Sequence, residues 1–209
     1  HARRGGVAEV APFCAAGDLS RPLSVNTAVL MTLRNEDPAR AVLRLKTVKS
    51  SLEATGEGDR FRYFLLSDSD RPDIVAAEER LAAALAADGR VVYRRRAANT
   101  GFKAGNIHEF CDTYGRDFDL ILPLDADSLM TGRAIIRLAR IMQAYPRLGI
   151  LQSLVVGLPS AAPFARIFQF GMRLGMRTYT MGQAWWTADC GPFWGHNALL
   201  RTRPFAEFC

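Results

Sequence analysis

The sequence predicts an α/β fold with a mainly parallel sheet and helices on both faces, and three observations carry that prediction. Short apolar runs alternate with longer segments of helical periodicity, the pattern of βαβ units. The helical segments open or close on recognisable signals, Asp37–Pro38 at one start, Gly56 and Pro146 at two ends. Polar clusters, "RNED", "SDSD" and "DAD", follow the first, second and fourth apolar runs, the end of the strands at which ligands bind in such sheets.

Taken in order, residues 1 to about 24 mix Ala, Gly, Arg and Pro without period and read as an arm or linker, leaving 25–209 as the domain. "TAVLMTL" (Thr27 to Leu33) is a buried strand. Asp37 caps a helix with Pro38 in its first turn, and Ala41, Leu45, Val48 and Leu52 recur at helical spacing up to Gly56. "FRYFLLS" (Phe61 to Ser67) is the second strand, and Asp73 to Ala87 is helical by propensity and pattern. Arg90 to Arg95 is the third strand. "AANTGFKAGN" is a glycine-bearing loop leading into a short helix through His108 and Cys111. Asp119 to Asp125 is the fourth strand, Thr131 to Pro146 a helix with Ile135, Leu138 and Met142 on one face, and Leu148 to Val155 a further strand. From Phe164 to Trp186 runs a long amphipathic segment whose Phe, Met and Trp content with interspersed Arg suits packing on the sheet, the expected case, or lying at a membrane interface; a glycine-aromatic loop and a final strand follow it.

Composition narrows the function. At 209 residues, 49% hydrophobic and 23% charged, the chain can bury one good-sized core. A net charge of +6 admits nucleic acid, a membrane surface or a phosphorylated ligand. The basic residues are dispersed, however, and the one dense run, "YRRR" (Tyr93 to Arg96), has no zinc-finger, RNP or basic-helix pattern beside it. Nucleic acid is therefore not an expected partner. Cys14, Cys111, Cys190 and Cys209 are far apart and form neither a disulfide framework nor a zinc site, which fits reduced thiols in a cytosolic compartment. No run is long and apolar enough to cross a membrane, and the start lacks the apolar core of a signal peptide. With His1 in place of Met, and no evident terminal element at "PFAEFC", the sequence reads as a fragment.

The chemistry concentrates in "LILPLDADSLM". Residues i and i+2 of an extended segment point the same way, so Asp125 and Asp127 are expected to converge at the mouth of the sheet. Two carboxylates brought together repel unless a positive charge lies between them. A hard divalent ion takes oxygen ligands, and magnesium commonly combines one or two carboxylates with a ligand's phosphates. Two aspartates are too few for a protein-only site, so a cation shared with a diphosphate is the inference. Asp68 ends another strand and can hydrogen-bond a base or ribose. Lys103 lies in the glycine-flanked "GFKAGN", where an ammonium can approach phosphate oxygens. Glu36 stands at a third strand end, where it also suits a helix first turn.

"LMTLRNED", "LLSDSDRPDI", "YRRRAANTGFKAGNI", "PLDADSLMTG" and "WGHNALLR" occur in that order. Together they resemble the family 2 glycosyltransferases of the GT-A, Rossmann-like fold, and most of all the bacterial glucosyltransferases that make osmoregulated periplasmic glucans. The resemblance implies UDP-glucose as donor, Mg²⁺ or Mn²⁺ as cofactor and a growing β-glucan as acceptor. It also implies a parent protein embedded in the bacterial inner membrane, with this domain on the cytoplasmic face. Position by position, Asp68 would contact the uridine, Asp125 the ribose or a metal-bound water, and Asp127 the metal. Lys103 and Asn106 of "KAGN" would lie by the nucleotide sugar and Glu36 would shape the uracil pocket. Gly195, His196 and Asn197 would line the acceptor side. The resemblance further implies an inverting transfer whose general base lies in a motif beyond Cys209. The late acids Asp189 and Glu207 match no such motif, so this piece alone is expected to bind donor weakly and turn nothing over.

Other classes are less well served. A haloacid-dehalogenase-type phosphatase also ends a strand in D-x-D, but that strand comes early and a lysine follows it. Here Lys46, Lys49 and Lys103 all precede Asp125. Another family 2 polysaccharide synthase of cellulose-synthase type, or an inert nucleotide-sugar-binding domain, remains the alternative.

Overall fold

The computed structural model describes residues 20–188 and 190–209; Cys14 and Asp189 lie outside them. In chain order the elements are β1 (Thr27–Leu33), α1 (Pro38–Glu53), β2 (Phe61–Ser67), α2 (Pro72–Leu85), β3 (Val91–Arg95) and α3 (Phe102–Tyr114). They continue with β4 (Leu120–Asp125), α4 (Gly132–Ala144), β5 (Ile150–Gln152), α5 (Pro163–Thr187), β6 (Ala198–Arg201) and α6 (Thr202–Phe208). The strands form one sheet in the order β3-β2-β1-β4-β6-β5. β1 to β4 are mutually parallel, and β6 runs antiparallel to both β4 and β5.

Alternation along the strands assigns each side chain to one of two cores. Val29, Met31, Phe61, Tyr63, Leu120 and Leu122 face α1, α2 and α4, whose Leu45, Val48, Ala82, Ile135 and Met142 complete that layer. The residues between them, Leu30, Phe64 and Ile121, face the opposite way, against Ile107 and Phe110 of α3 and Phe205 of α6. Each such apolar side chain contributes roughly 1.5–3 kcal/mol by leaving water.

The expected helix signals operate as read. Asp37 Oδ1 accepts from the backbone N–H of Ala39 at 3.0 Å and Arg40 at 3.1 Å, with Pro38 opening α1. Thr131 caps α4. Gly132 allows α4 to meet the end of α1, because a Cβ there would lie 2.1 Å from the Ser51 carbonyl oxygen.

Four expectations change. The strand read over 148–155 is paired only from Ile150 to Gln152, because β6 presents only Leu200 to Ala198 as partners. Arg21 to Ser24, read as the end of the arm, are tied to the domain: Leu23 is buried, and Gln143 accepts from Ser24 N–H at 2.7 Å. The chain closes on the helix α6, which the sequence reading did not anticipate. α5 forms where the amphipathic pattern put it, but none of its residues is buried. It does not pack on the sheet as expected.

Candidate functional site

Strand order reverses between β1 and β4, because β1 leads to β2 on one side while β4 lies on the other. The carboxyl ends of that pair therefore open a crevice, the usual place for a ligand in such sheets. Glu36 follows β1, Asp125 ends β4, and together with Asp37, Arg40, Arg44, Ala126 and Asp127 they line a cavity of about 450 Å³.

The two aspartates reach this cavity by a route other than the expected one. β4 stops at Asp125, and Ala126 and Asp127 turn, with Ser128 N–H donating to the Asp125 carbonyl at 2.9 Å. Arg44 of α1 fixes the turn by donating to the Ala126 carbonyl at 2.9 Å. Ala126 is buried and Asp127 exposed. A turn, not strand alternation, brings the second carboxylate to the cleft.

Parity in β4 places Asp125 on the side of α3, and Lys103 in the first turn of α3 donates through Nζ to Asp125 Oδ1. The loop delivering that lysine is tightly shaped: Gly101 has φ +69° and Phe102 φ +51°. A Cβ on Gly105 would sit 2.1 Å from the Thr100 carbonyl oxygen. On the other side of Asp125, His196 Nε2 lies 3.9 Å from Oδ2. His196 Nδ1 is 3.1 Å from Asn197 Oδ1 and 3.5 Å from Ser128 Oγ. Gly195, with φ +87°, and Asn197, with φ +53°, turn the loop so that Asn197 N–H meets the Pro123 carbonyl at 3.0 Å. Glu36 feels the accumulated acidity. Partial burial pushes its carboxyl up, a backbone hydrogen bond at Arg34 opposes this, and the charges of Asp127 and Asp125 push further up.

A second cluster sits at the end of β2. Asp68 is buried and gripped on both oxygens by Arg96, Nε to Oδ1 at 2.7 Å and Nη2 to Oδ2 at 2.9 Å. Arg96 also donates to the carbonyls of Thr100 at 3.0 Å and Phe102 at 3.1 Å, so one guanidinium ties Asp68 to the loop that aims Lys103. The sequence reading missed this residue. Its signal was available, since Arg94 and Arg96 are two apart and leave β3 on the α3 side. Asn106 corrects an expectation: it is fully buried, its Oδ1 accepts from Arg94 Nη2 and its Nδ2 reaches the Leu66 carbonyl. It positions framework and has no surface for a nucleotide sugar.

Beneath Asp68 lies Glu78, buried in α2, which accepts from Ser67 Oγ at 2.6 Å, Ser69 Oγ at 2.7 Å and Tyr93 OH at 2.9 Å. Three hydroxyl donors satisfy this buried carboxylate, which forms no ion pair among the described residues. Burial, with Glu78 beside it, pushes the Tyr93 hydroxyl up to about 12. Ser69 Oγ in turn accepts from Asn35 N–H at 2.8 Å, linking this cluster to the loop that carries Glu36. Glu78 too escaped the sequence reading, which had no way to distinguish it from Glu79, the exposed glutamate next to it in α2.

With this geometry in place, comparison with known proteins is decisive. The family described as Glycosyl transferase family 2 matches residues 28–208. The chain belongs to family 2. Its relatives include the glucans biosynthesis glucosyltransferases H of Cereibacter sphaeroides, 42% identical over 90% of this chain, and of Caulobacter vibrioides, 41% identical over 90%. That of Xylella fastidiosa is 42% identical over 88%. The chain spans 32%, 28% and 30% of those proteins' lengths, about a third or less. Among solved structures, similarity extends to the glucosyl-3-phosphoglycerate synthase of Mycobacterium tuberculosis in complex with Mn²⁺, UDP and glucosyl-3-phosphoglycerate. It has a TM-score of 0.52 at 14% identity, covering 96% of this chain and 62% of that one. A mannosyltransferase of Pyrobaculum calidifontis in complex with GDP-Man and Mn²⁺ gives a TM-score of 0.50 at 15% identity, covering 70% and 41%. The fold is the Rossmann-like GT-A arrangement of this family's glycosyltransferases.

Proposed function

We propose that this chain is the donor-binding part of an inverting, metal-dependent glucosyltransferase that uses UDP-glucose to extend a β-glucan. The observation that carries the reading is the crevice at the β1–β4 reversal, where Glu36, Asp125 and Asp127 face one cavity and Lys103 and His196 flank Asp125. The names of the relatives support glucose as the sugar and a glucan as the product.

The residues fit a divalent ion. The cleft's carboxylates are hard oxygen donors; burial is the main cause that raises Glu36, the charges of Asp127 and Asp125 add to it, and a cation would relieve that added repulsion. Among the described residues no group of three His, Cys, Asp or Glu side chains forms a ready-made metal cage, so Asp127 and Asp125 would share Mg²⁺ or Mn²⁺ with the diphosphate. When bound, the ion supplies charge neutralisation for the departing UDP.

The chain's own residues do the rest. Asp68, fixed by Arg96, accepts from the uridine, and Glu36 walls the cleft on the uracil side. Lys103 exchanges the Asp125 carboxylate for a phosphate oxygen as the donor arrives. Gly195, His196 and Asn197 border the acceptor side, beside Asp125. The carboxylate that deprotonates the attacking hydroxyl comes, in this reading, from outside residues 1–209. The whole protein lies in the bacterial inner membrane with this domain on its cytoplasmic face.

Calorimetric titration of UDP into the protein with Mn²⁺ tests the assignment. Binding at least about tenfold weaker in Asp127→Asn supports it, and equal binding in both removes the metal role. The sugar is tested separately, by supplying radiolabelled UDP-glucose to the complete protein; incorporation from another nucleotide sugar instead would overturn the glucose assignment.

A further inference from the structure

α5 is an amphipathic helix mounted with its apolar side outward. The residues it turns toward the rest of the chain recur at Gln169, Met172, Met176, Gln183 and Thr187 and are half-buried. Gln169 donates to the Leu158 carbonyl, and Met172, Met176 and Gln183 border a cavity of about 360 Å³ shared with Leu154 and Val155. The opposite stripe carries Phe164, Ile167, Phe168, Leu174, Trp185 and Trp186 at helical spacing, each between 60% and 82% exposed. So large a contiguous apolar face is unusual on a surface with no partner.

The charges say which partner. α5 contains Arg166, Arg173 and Arg177 and no Asp or Glu, and the three arginines, at spacings of seven and four, fall on one flank of the apolar stripe. Two adjacent tryptophans close the helix. Cationic side chains flanking an apolar face, with tryptophan at its end, match the layering of headgroups over acyl chains. A protein groove would demand no such uniform positive sign. α5 is not apolar enough to cross a bilayer, which leaves the orientation in which it lies in the interface plane.

We propose that α5 is a membrane-surface helix that inserts its Ile167–Leu174–Trp185 face among the acyl chains of an anionic bilayer while Arg166, Arg173 and Arg177 meet the headgroups. The inference is independent of the sugar-nucleotide reading, since no α5 residue lies in the β1–β4 crevice. It places that crevice on a domain held beside a lipid surface.

The test uses the chain of 209 residues with Trp194→Phe, so that only Trp185 and Trp186 report. Unilamellar vesicles of phosphatidylcholine alone are compared with vesicles containing phosphatidylglycerol, by co-flotation and by tryptophan emission. The expected result is retention on the anionic vesicles, a blue shift, and quenching by acyl-brominated lipid. Replacing all three arginines by glutamine should weaken binding by about a hundredfold. Leu174→Asp should weaken it by at least about tenfold, with unchanged circular dichroism. Absence of retention, retention without acyl-chain quenching, or retention indifferent to both variants overturns the proposal. So does a concentration-dependent dimer in light scattering that Leu174→Asp dissolves while vesicles are ignored, since that assigns the face to a second copy. Quenching of the parent protein alone decides the matter if a variant fails to fold.

Discussion

Phe64 in β2 and Phe168 in α5 are the same side chain in opposite circumstances. Phe64 is 0% exposed, with ring centroids 4.8 Å from Phe110 and 5.7 Å from Phe118 at steep angles. Phe168 is 60% exposed, and among the described residues its aromatic neighbour is Phe164 of its own helix, at 6.3 Å. The difference runs through both regions. From β1 to α4 most large apolar residues point inward, Leu43 and Phe102 excepted, and Glu36, Asp125 and Asp127 gather at the sheet's rim, so stability and site are built by one parallel framework. In α5 the aromatic side chains, with Ile167 and Leu174, point outward, and the chain gains little from them until something else covers them.

The comparison predicts unequal penalties. Phe64→Ala should cost about 4 kcal/mol, as transfer loss and cavity together, whereas Phe168→Ala should change unfolding by less than about 0.5 kcal/mol. Paired urea denaturations of the two variants measure it. Similar penalties would mean that α5 is packed in solution and would erase the contrast.

Next in size is Arg96→Ala, which strands Asp68 as a buried charge. A loss of about 3 kcal/mol is expected, together with weakened UDP binding, because the same guanidinium shapes the Lys103 loop. Restoring stability with the double variant Arg96→Ala, Asp68→Ala while UDP binding stays lost would separate the two roles. If binding survives in Arg96→Ala, the loop does not depend on it.

Lys103→Met sharpens the same point at lower cost. Its partner Asp125 is part-exposed, so stability should move by less than about 1 kcal/mol. Mn²⁺ alone should bind more tightly, because the lysine no longer holds Asp125, while UDP should bind more weakly. Both affinities falling together would show that Lys103 organises the cleft and does not compete for it.

The inner framework was legible because its signals are local and redundant. β1 and β2 follow from apolar runs, α1 from a capped start and a four-point stripe, and the rim position of Asp68, Asp125 and Glu36 from the alternation of elements. What stayed hidden depends on partners distant in sequence. The register of β6 decides that β5 stops at Gln152. Arg96 acquires its meaning from Asp68, twenty-eight residues away. Period-two reasoning put Asp127 beside Asp125, and the turn at Ala126 brings it there by other means. Amphipathicity revealed that α5 has an apolar face but carries no information on which way the face points, and so the expected packing failed.

The smallest effect tests the crevice's charge. Glu36 is held above the ordinary glutamate range, so between its ordinary and folded values the folded chain binds more protons than the unfolded one. Stability therefore falls as pH rises through that interval and is level above it. Glu36→Gln removes the proton site and with it the fall, so its advantage over the parent should be absent at low pH, grow through the mildly acidic range and then plateau. Because the group faces solvent, the plateau should not exceed about 0.5 kcal/mol. Denaturant midpoints of the two proteins across acidic to neutral pH read the difference directly. Saturating Mn²⁺ should shrink it in part, since burial is the larger cause and a cation between Asp125 and Asp127 cancels only the share that their charges add. An advantage that persists unchanged in Mn²⁺ would mean that burial alone lifts the carboxyl, and that the acids of the crevice do not act on it as a group.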